Sequence, residues 1–362
     1  MLNKGTVWMD KGGKKNPKDY YKKALTLADL KPGDILTFEG EENDTISFLI
    51  MKLTNSVVTH GALYFQDSPV KALADAGKSG LHAHKVENKP KSRNVYVSRI
   101  KMPGQGGFFG DDKIYYVLHS AKGYLNSNLK YPYSDLVLLA LIMVFKDISK
   151  VSISLPVILG VLKFVTVEIK RLIDARMHEG KHPMVCSAFV YQCYLDAGKK
   201  DERLKLNLNA DADMGEFTCR SVRQLQGAKT LFELYAEHAE EYNYKTEVFA
   251  TREPEVTKEE LDALLKQGVE DVKGDRVMVL KNFSLSGVIE KFLEVLLDYY
   301  GIEWKDTESL IEKARKFQSM FVTPNDLCFH IDNTEKLGYI ALDRHSKDLP
   351  DEEITTKYDA EK

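Results

Sequence analysis

Pro183–Gly198 reads PMVCSAFVYQCYLDAG, and its apolar positions Val185, Phe189, Val190, Tyr194 and Ala197 recur at helical spacing. Pro183 suits a helix entry and Gly198 a helix exit. The stretch therefore predicts a buried helix with Cys186 in its first turn. Unpaired amides and the positive end of the helix dipole favour a thiolate there, the nucleophilic form of the side chain. Cys193 lies seven residues on, two turns deeper on the same face, where plain packing is expected.

Working outward, the segment before this helix has the pattern of a sheet. Leu30–Phe38, LKPGDILTF, is a Pro-Gly-Asp turn feeding an apolar strand. A short helix is expected over Thr45–Leu53, followed by β-type runs at Val57–Phe65 (VVTHGALYF), Lys71–Ala76, Leu81–Val86, Val95–Lys101 and Ile114–Leu118. These predict five or six strands. Leu136–Phe145 and Ser152–Val165 are the most apolar runs, and each falls short of the ~20 uninterrupted residues of a spanning helix. Three readings stand for them: core helices, a lipid-facing pair beside the cysteine, or membrane spans.

Beyond Gly198 the chain turns charged and helical, over Thr230–Tyr242, Thr257–Lys266, Leu285–Tyr300 and Thr307–Met320. Thr257 with Glu260 forms a capping-box pattern, and Ser284 or Ser286 is placed to cap the next helix. Thr323–Ile331, TPNDLCFHI, has a turn-then-strand pattern. The expected fold class is α+β, a small antiparallel sheet packed against the cysteine helix, with an added helical subdomain. Its boundaries are a basic, partly mobile lead-in at 1–28, a core at 29–198, a helical insertion at 199–322, a return to the core at 323–345 and a mobile tail at 346–362.

Bulk composition excludes several classes. With 51 basic against 54 acidic residues the net charge is −3, so nucleic acid is not an expected partner. The cysteines Cys186, Cys193, Cys219 and Cys328 are too sparse for a disulfide framework and have no metal-type pairing with histidine. No metal and no cofactor are expected. The lysine-rich start lacks an apolar signal core, so a cytoplasmic location is expected, with export by another route left open.

A thiol nucleophile needs a base within hydrogen-bond reach and a third group that orients the base. His60, in the β-run before Gly61, and Asp75, the carboxylate of KALADAG, are the candidates beside Cys186. Taken singly, each also has a plain reading: a packed cysteine, a satisfied core histidine and a turn aspartate. His82 and His84 alternate along one strand, facing either the cleft or, in the plainer reading, solvent. His119, His178 and His182 suit the surface, although His182 is close enough in sequence to tune Cys186. Ser187 suits the helix start, and Tyr131 and Tyr133 suit either the cleft or the core.

The ordered set PGDIL (Pro32–Leu36), THGAL (Thr59–Leu63), Asp75-Ala76, Tyr131-Pro-Tyr133, VCSAFVYQCY (Val185–Tyr194) and TPNDL (Thr323–Leu327) resembles the circularly permuted papain-like cysteine hydrolase family of YiiX and YaeF. That family is related to NlpC-type cell-wall amidases and to lecithin:retinol acyltransferase. The resemblance covers about Leu30 to Gly198, resumes at Thr323, and includes the family's order, the histidine strand before the cysteine helix. It implies a permuted papain-like fold with Cys186 as nucleophile, His60 as general base and Asp75 as the group that orients His60. The family usually has Glu-Ala where this chain has Asp75 and Ala76, one methylene longer.

The implied activity is cysteine-dependent hydrolysis of an amide or ester through an acyl-enzyme. The implied substrates are a small peptide, a peptidoglycan fragment or a lipid, with contact to a membrane surface for the last. A lipid acyltransferase and a catalytically silent peptide- or lipid-binding module are the alternatives.

Overall fold

The computed structural model describes residues 16–67, 70–77, 80–84, 93–104, 106–126, 133–146, 153–175, 185–209, 230–242, 256–274 and 284–341. Tyr131, His178, His182, Cys219, the helix-entry proline Pro183 and the 346–362 tail lie outside them. The fold is α+β. Its chain order is helix α1 (Pro17–Tyr20), strand β1 (Ile35–Glu39), helix α2 (Thr45–Leu53), then strands β2 (Val58–Asp67), β3 (Val70–Gly77), β4 (Gly80–His84) and β5 (Asn94–Ile100). Helices α3 (Asp111–Leu125), α4 (Ser134–Phe145), α5 (Leu155–Ala175), α6 (Cys186–Ala197), α7 (Leu231–Tyr242), α8 (Lys258–Lys273), α9 (Ser284–Tyr299), α10 (Thr307–Met320) and α11 (Pro324–Phe329) follow, and strand β6 (Thr334–Ala341) closes the order.

The six strands form one antiparallel sheet in the order β4-β3-β2-β1-β5-β6. β1 emerges from the Pro32-Gly33 turn, where Asp34 N bonds Lys31 O and Gly33 sits at φ +86°, a conformation that glycine adopts without strain. Ile35, Leu63, Phe65, Ala74 and Ala76 point from the sheet into the main core, beside the residues of α4 and α6. Leu36, Phe38, Ala62, Tyr64, Leu73, Val95 and Val97 form the opposite face with Leu30 and Ile340.

Two expected elements are corrected. Ile114–Leu118 is not a strand but part of α3, because Ile114, Val117 and Ala121 form one buried helical stripe and Gly110 caps a first turn carrying Asp111 and Asp112. Thr323–Ile331 holds α11 in place of the expected strand. Thr323 and Asp326 make a reciprocal capping box with Pro324 in the first turn. The sixth strand begins later, at Thr334.

From Pro17 the lead-in is packed. Tyr21 is wholly buried, and its hydroxyl donates to Cys328 O at 2.7 Å and shares a hydrogen bond with Ser98 Oγ at 2.8 Å. Leu25 N and Tyr339 N exchange bonds with Tyr339 O and Lys23 O, which straps this segment onto β6.

Ser134 and every residue from Leu136 to Phe145 are buried, so the first of the apolar runs is core packing. α5 buries Val157, Ile158, Val161, Leu162, Val165 and Ile169 against the same core, which continues into α8, α9 and α10. Among the described residues no helix is long and apolar enough to cross a membrane.

The α11 box is also an electrostatic anchor. Asp326, 3% exposed, accepts from Thr323 N (2.8 Å), Lys146 Nζ (3.2 Å) and His330 Nδ1 (3.0 Å). Burial alone would raise this carboxyl, but Lys146, His330 and the Thr323 amide outweigh it and hold it well below the usual carboxylate range. A lowered folded-state pKa gives stability that is fully present above the unfolded-chain value of about 4 and lost as pH falls below it. Asp326→Asn is expected to lose about 1.5–3 kcal/mol at pH 7. Urea unfolding from pH 7 to 2 is expected to give the variant a flatter acid limb than the wild type.

Candidate functional site

His60 lies on β2 and Asp75 on β3. The ladder between them pairs Leu63 with Ala74, so its next step sets Ala62 opposite Asp75 and leaves His60 as the diagonal neighbour on the same face. His60 Nε2 meets Asp75 Oδ2 at 2.7 Å. Asp75 is 1% exposed and His60 8%. The shorter aspartate therefore does reach the histidine. Phe38, the register partner of His60 on β1, sets its ring edge-on to the imidazole at 5.8 Å between centroids. The ring is held from both neighbouring strands.

A second histidine completes the carboxylate. His84 Nε2 lies 3.2 Å from Asp75 Oδ1. His82 is the direct register partner of Asp75, and its Nε2 is buried without a hydrogen-bond partner among the described residues. The expected solvent-facing reading of His84 is corrected. The sequence signal, His-x-His alternation, was present, but a single strand does not reveal which face meets Asp75. Because an ionised carboxylate only accepts, each imidazole meets it as an Nε2–H donor, and Nδ1 is the ring nitrogen turned away from Asp75.

Cys186 opens α6. Val185 caps it in extended conformation, and the first i to i−4 bond is Phe189 N to Val185 O at 2.9 Å. The amides of the first turn therefore have no partner within the helix. Bonds to other elements pin α6: Ser187 Oγ donates to Val322 O at 2.7 Å, Tyr194 Oη donates to Gly33 O, and from α3 Tyr124 Oη and Ser120 Oγ donate to Asp196 Oδ2 at 2.6 and 3.3 Å. Ser187 thus serves the helix start, as expected.

A Cβ placed on Gly61 would lie 3.0 Å from Leu327 Cδ1 and 3.5 Å from Ser187 Cα, so the Cys186 end of α6 sits directly on β2, one residue along from His60. Alternation points His60 to the opposite side of β2 from Gly61. The first turn of α6 and the His60 imidazole thus flank β2 from its two sides, at adjacent residues of the strand. The structure thus joins His60 to Asp75 and seats the cysteine turn on the histidine strand. Among the described residues no hydrogen bond closes the thiol onto the imidazole.

The Cys186 side chain itself is buried, at 1% exposure. The other described cysteines are deep packing: burial pushes the Cys193 thiol well up, and it pushes Cys328 up to about 11. His119 is exposed on α3, beside the Tyr115 ring. Tyr133 caps α4 and packs edge-on to Phe164. A cleft of about 230 Å³ lined by Lys31, Gly33, Arg99, Phe108, Gly110 and Ile114 lies apart from this site, with none of Cys186, His60 or Asp75 in its wall. Among the described residues no group of histidine, cysteine and carboxylate side chains is arranged to hold a metal ion.

Comparison of the chain with protein-family models and with curated proteins gives no match.

The close seat at Gly61 is testable. Gly61→Val is expected to lower stability by about 1–3 kcal/mol through overpacking against Leu327 and the Ser187 backbone. Thermal unfolding with a chemical-denaturation series measures it, and Gly61→Ala, whose single methyl meets the movable end of Leu327, is expected to cost less.

Proposed function

We propose that this protein is a cysteine-dependent hydrolase of an amide or ester bond, with Cys186 as nucleophile, His60 as general base and Asp75 as the group that orients His60. The single observation that carries the reading is the buried His60–Asp75 pair at 2.7 Å on a strand whose next residue receives the first turn of the Cys186 helix. A bare glycine at that seat and the order of histidine strand before cysteine helix support a permuted papain-like arrangement within the α+β fold.

In this reading Nδ1 of His60 takes the thiol proton, since Nε2–H is committed to Asp75. The thiolate attacks the substrate carbonyl and forms the C–S bond. Amides of the α6 first turn face the developing oxyanion, aided by the positive end of the helix. The tetrahedral adduct then collapses, and His60 returns the proton to the departing amine or alcohol. Water, deprotonated by the same nitrogen, cleaves the thioester and frees the acid. Asp75 keeps the ring in one tautomer and stabilises the imidazolium that forms between these steps.

The test is intact-mass detection of an acylated Cys186, together with turnover on a panel of peptide amides, peptidoglycan fragments and phospholipids. The wild type is expected to form an adduct with one class. Cys186→Ala is expected to form none, and His60→Ala to slow its formation by about 100-fold or more. Because the thiol is 1% exposed, small activated esters are the first probes to use. Absence of any Cys186-dependent adduct or turnover across the panel rejects the hydrolase.

A further inference from the structure

Asp75 presents two oxygens, and the triad uses one. Oδ2 receives His60 and Oδ1 receives His84, so the carboxylate bridges two imidazoles from two different strands. The arrangement follows from the register. Asp75 faces His82 and Leu73 faces His84, which makes His84 the diagonal same-face neighbour of Asp75 across β3 and β4, as His60 is across β2 and β3. The side chains of His84 and Asp75 are 16% and 1% exposed.

A carboxylate at that depth has lost its water and stays ionised only if hydrogen-bond donors replace it. His60 holds Oδ2 and His84 holds Oδ1, so the carboxylate is gripped at both oxygens and turning about its Cβ–Cγ bond, which would draw Oδ2 off the His60 ring, strains the His84 contact as well. A two-point hold matters more for aspartate than for glutamate, because the shorter side chain has less reach with which to recover a lost contact.

We infer that His84 is a positioning residue of the proposed site: its Nε2–H clamps Oδ1 of Asp75 so that Oδ2 holds His60 in the tautomer whose lone pair, on Nδ1, serves Cys186. This rests on the triad reading above and extends it by a fourth side chain. His84 acts through Asp75.

The experiment uses the full chain with ¹⁵N-labelled histidine. It records the His60 imidazole nitrogens by long-range ¹H–¹⁵N correlation and the rate of Cys186 alkylation by iodoacetamide, located by peptide mass. His84→Phe keeps a ring and removes the donor; His84→Gln keeps an N–H donor. His84→Phe is expected to turn His60 from a single Nε2–H tautomer into a mixture and to slow Cys186 alkylation about 10-fold, the low end for losing a group that orients another. His84→Gln is expected to restore the single tautomer and most of the rate.

Asp75→Asn and His60→Gln separate the two levels. If Asp75→Asn slows alkylation and scrambles the tautomer while His84→Phe changes neither, the clamp is overturned and the triad stands. If neither Asp75→Asn nor His60→Gln changes Cys186 alkylation, the triad falls, and the clamp falls with it. Should His84→Phe unfold, His84→Leu and His84→Ala, which also remove the donor, decide the matter by the same spectrum: a single, unscrambled His60 tautomer in both overturns the clamp.

Discussion

The seating of α6 on β2 is the constraint around which the rest is arranged. At residue 61 a Cβ would meet Leu327 Cδ1 at 3.0 Å and Ser187 Cα at 3.5 Å, so any side chain larger than a methyl would press on the helix start that lies against the strand. That closeness is held from both ends of the helix, by Ser187 on Val322 and by Tyr194 on Gly33. One bond reaches the segment just before α11, the other the turn before β1. Regions of the chain nearly three hundred residues apart therefore meet on a single twelve-residue helix.

Much of this was legible in the chain itself, for identifiable reasons. The Pro-Gly-Asp turn, the helix after Asp44, the capping box at Thr257 and Glu260 and the cysteine helix are each set by local chemistry, and each occurs where its residues direct. Ile114–Leu118 was not legible because IYYVL has the β-branched and aromatic content of a strand, while its actual state was decided by the Gly110 cap and by packing onto the core. TPNDL misled in a related way: Pro324 signals a turn, yet it also suits the first turn of a helix when a capping pair flanks it.

The candidate site divides along the same line. Residue types and order pointed to Cys186, His60 and Asp75. What the sequence withheld was register, the property that turns an alternating His-x-His into two residues on the Asp75 face. His82 opposite Asp75 and His84 bonded to it depend on where β4 starts relative to β3, a register that pairs Gly77 with Gly80 and that the residues of neither strand announce on their own. A cross-strand pairing of this kind emerges only when both strands are in place.

The interior position of α4 bears on how the chain is made. Its covering comes from α2, far upstream, and from residues far downstream: Phe145 packs on Phe232, Phe317 and Phe321, and Gln318 Nε2 donates to its carbonyl. During synthesis a twelve-residue apolar helix thus leaves the ribosome long before the segments that enclose it. Until Phe232, Phe317 and Phe321 have emerged, this helix is a sticky nascent surface, the type of segment that chaperones shield and that aggregates when they do not.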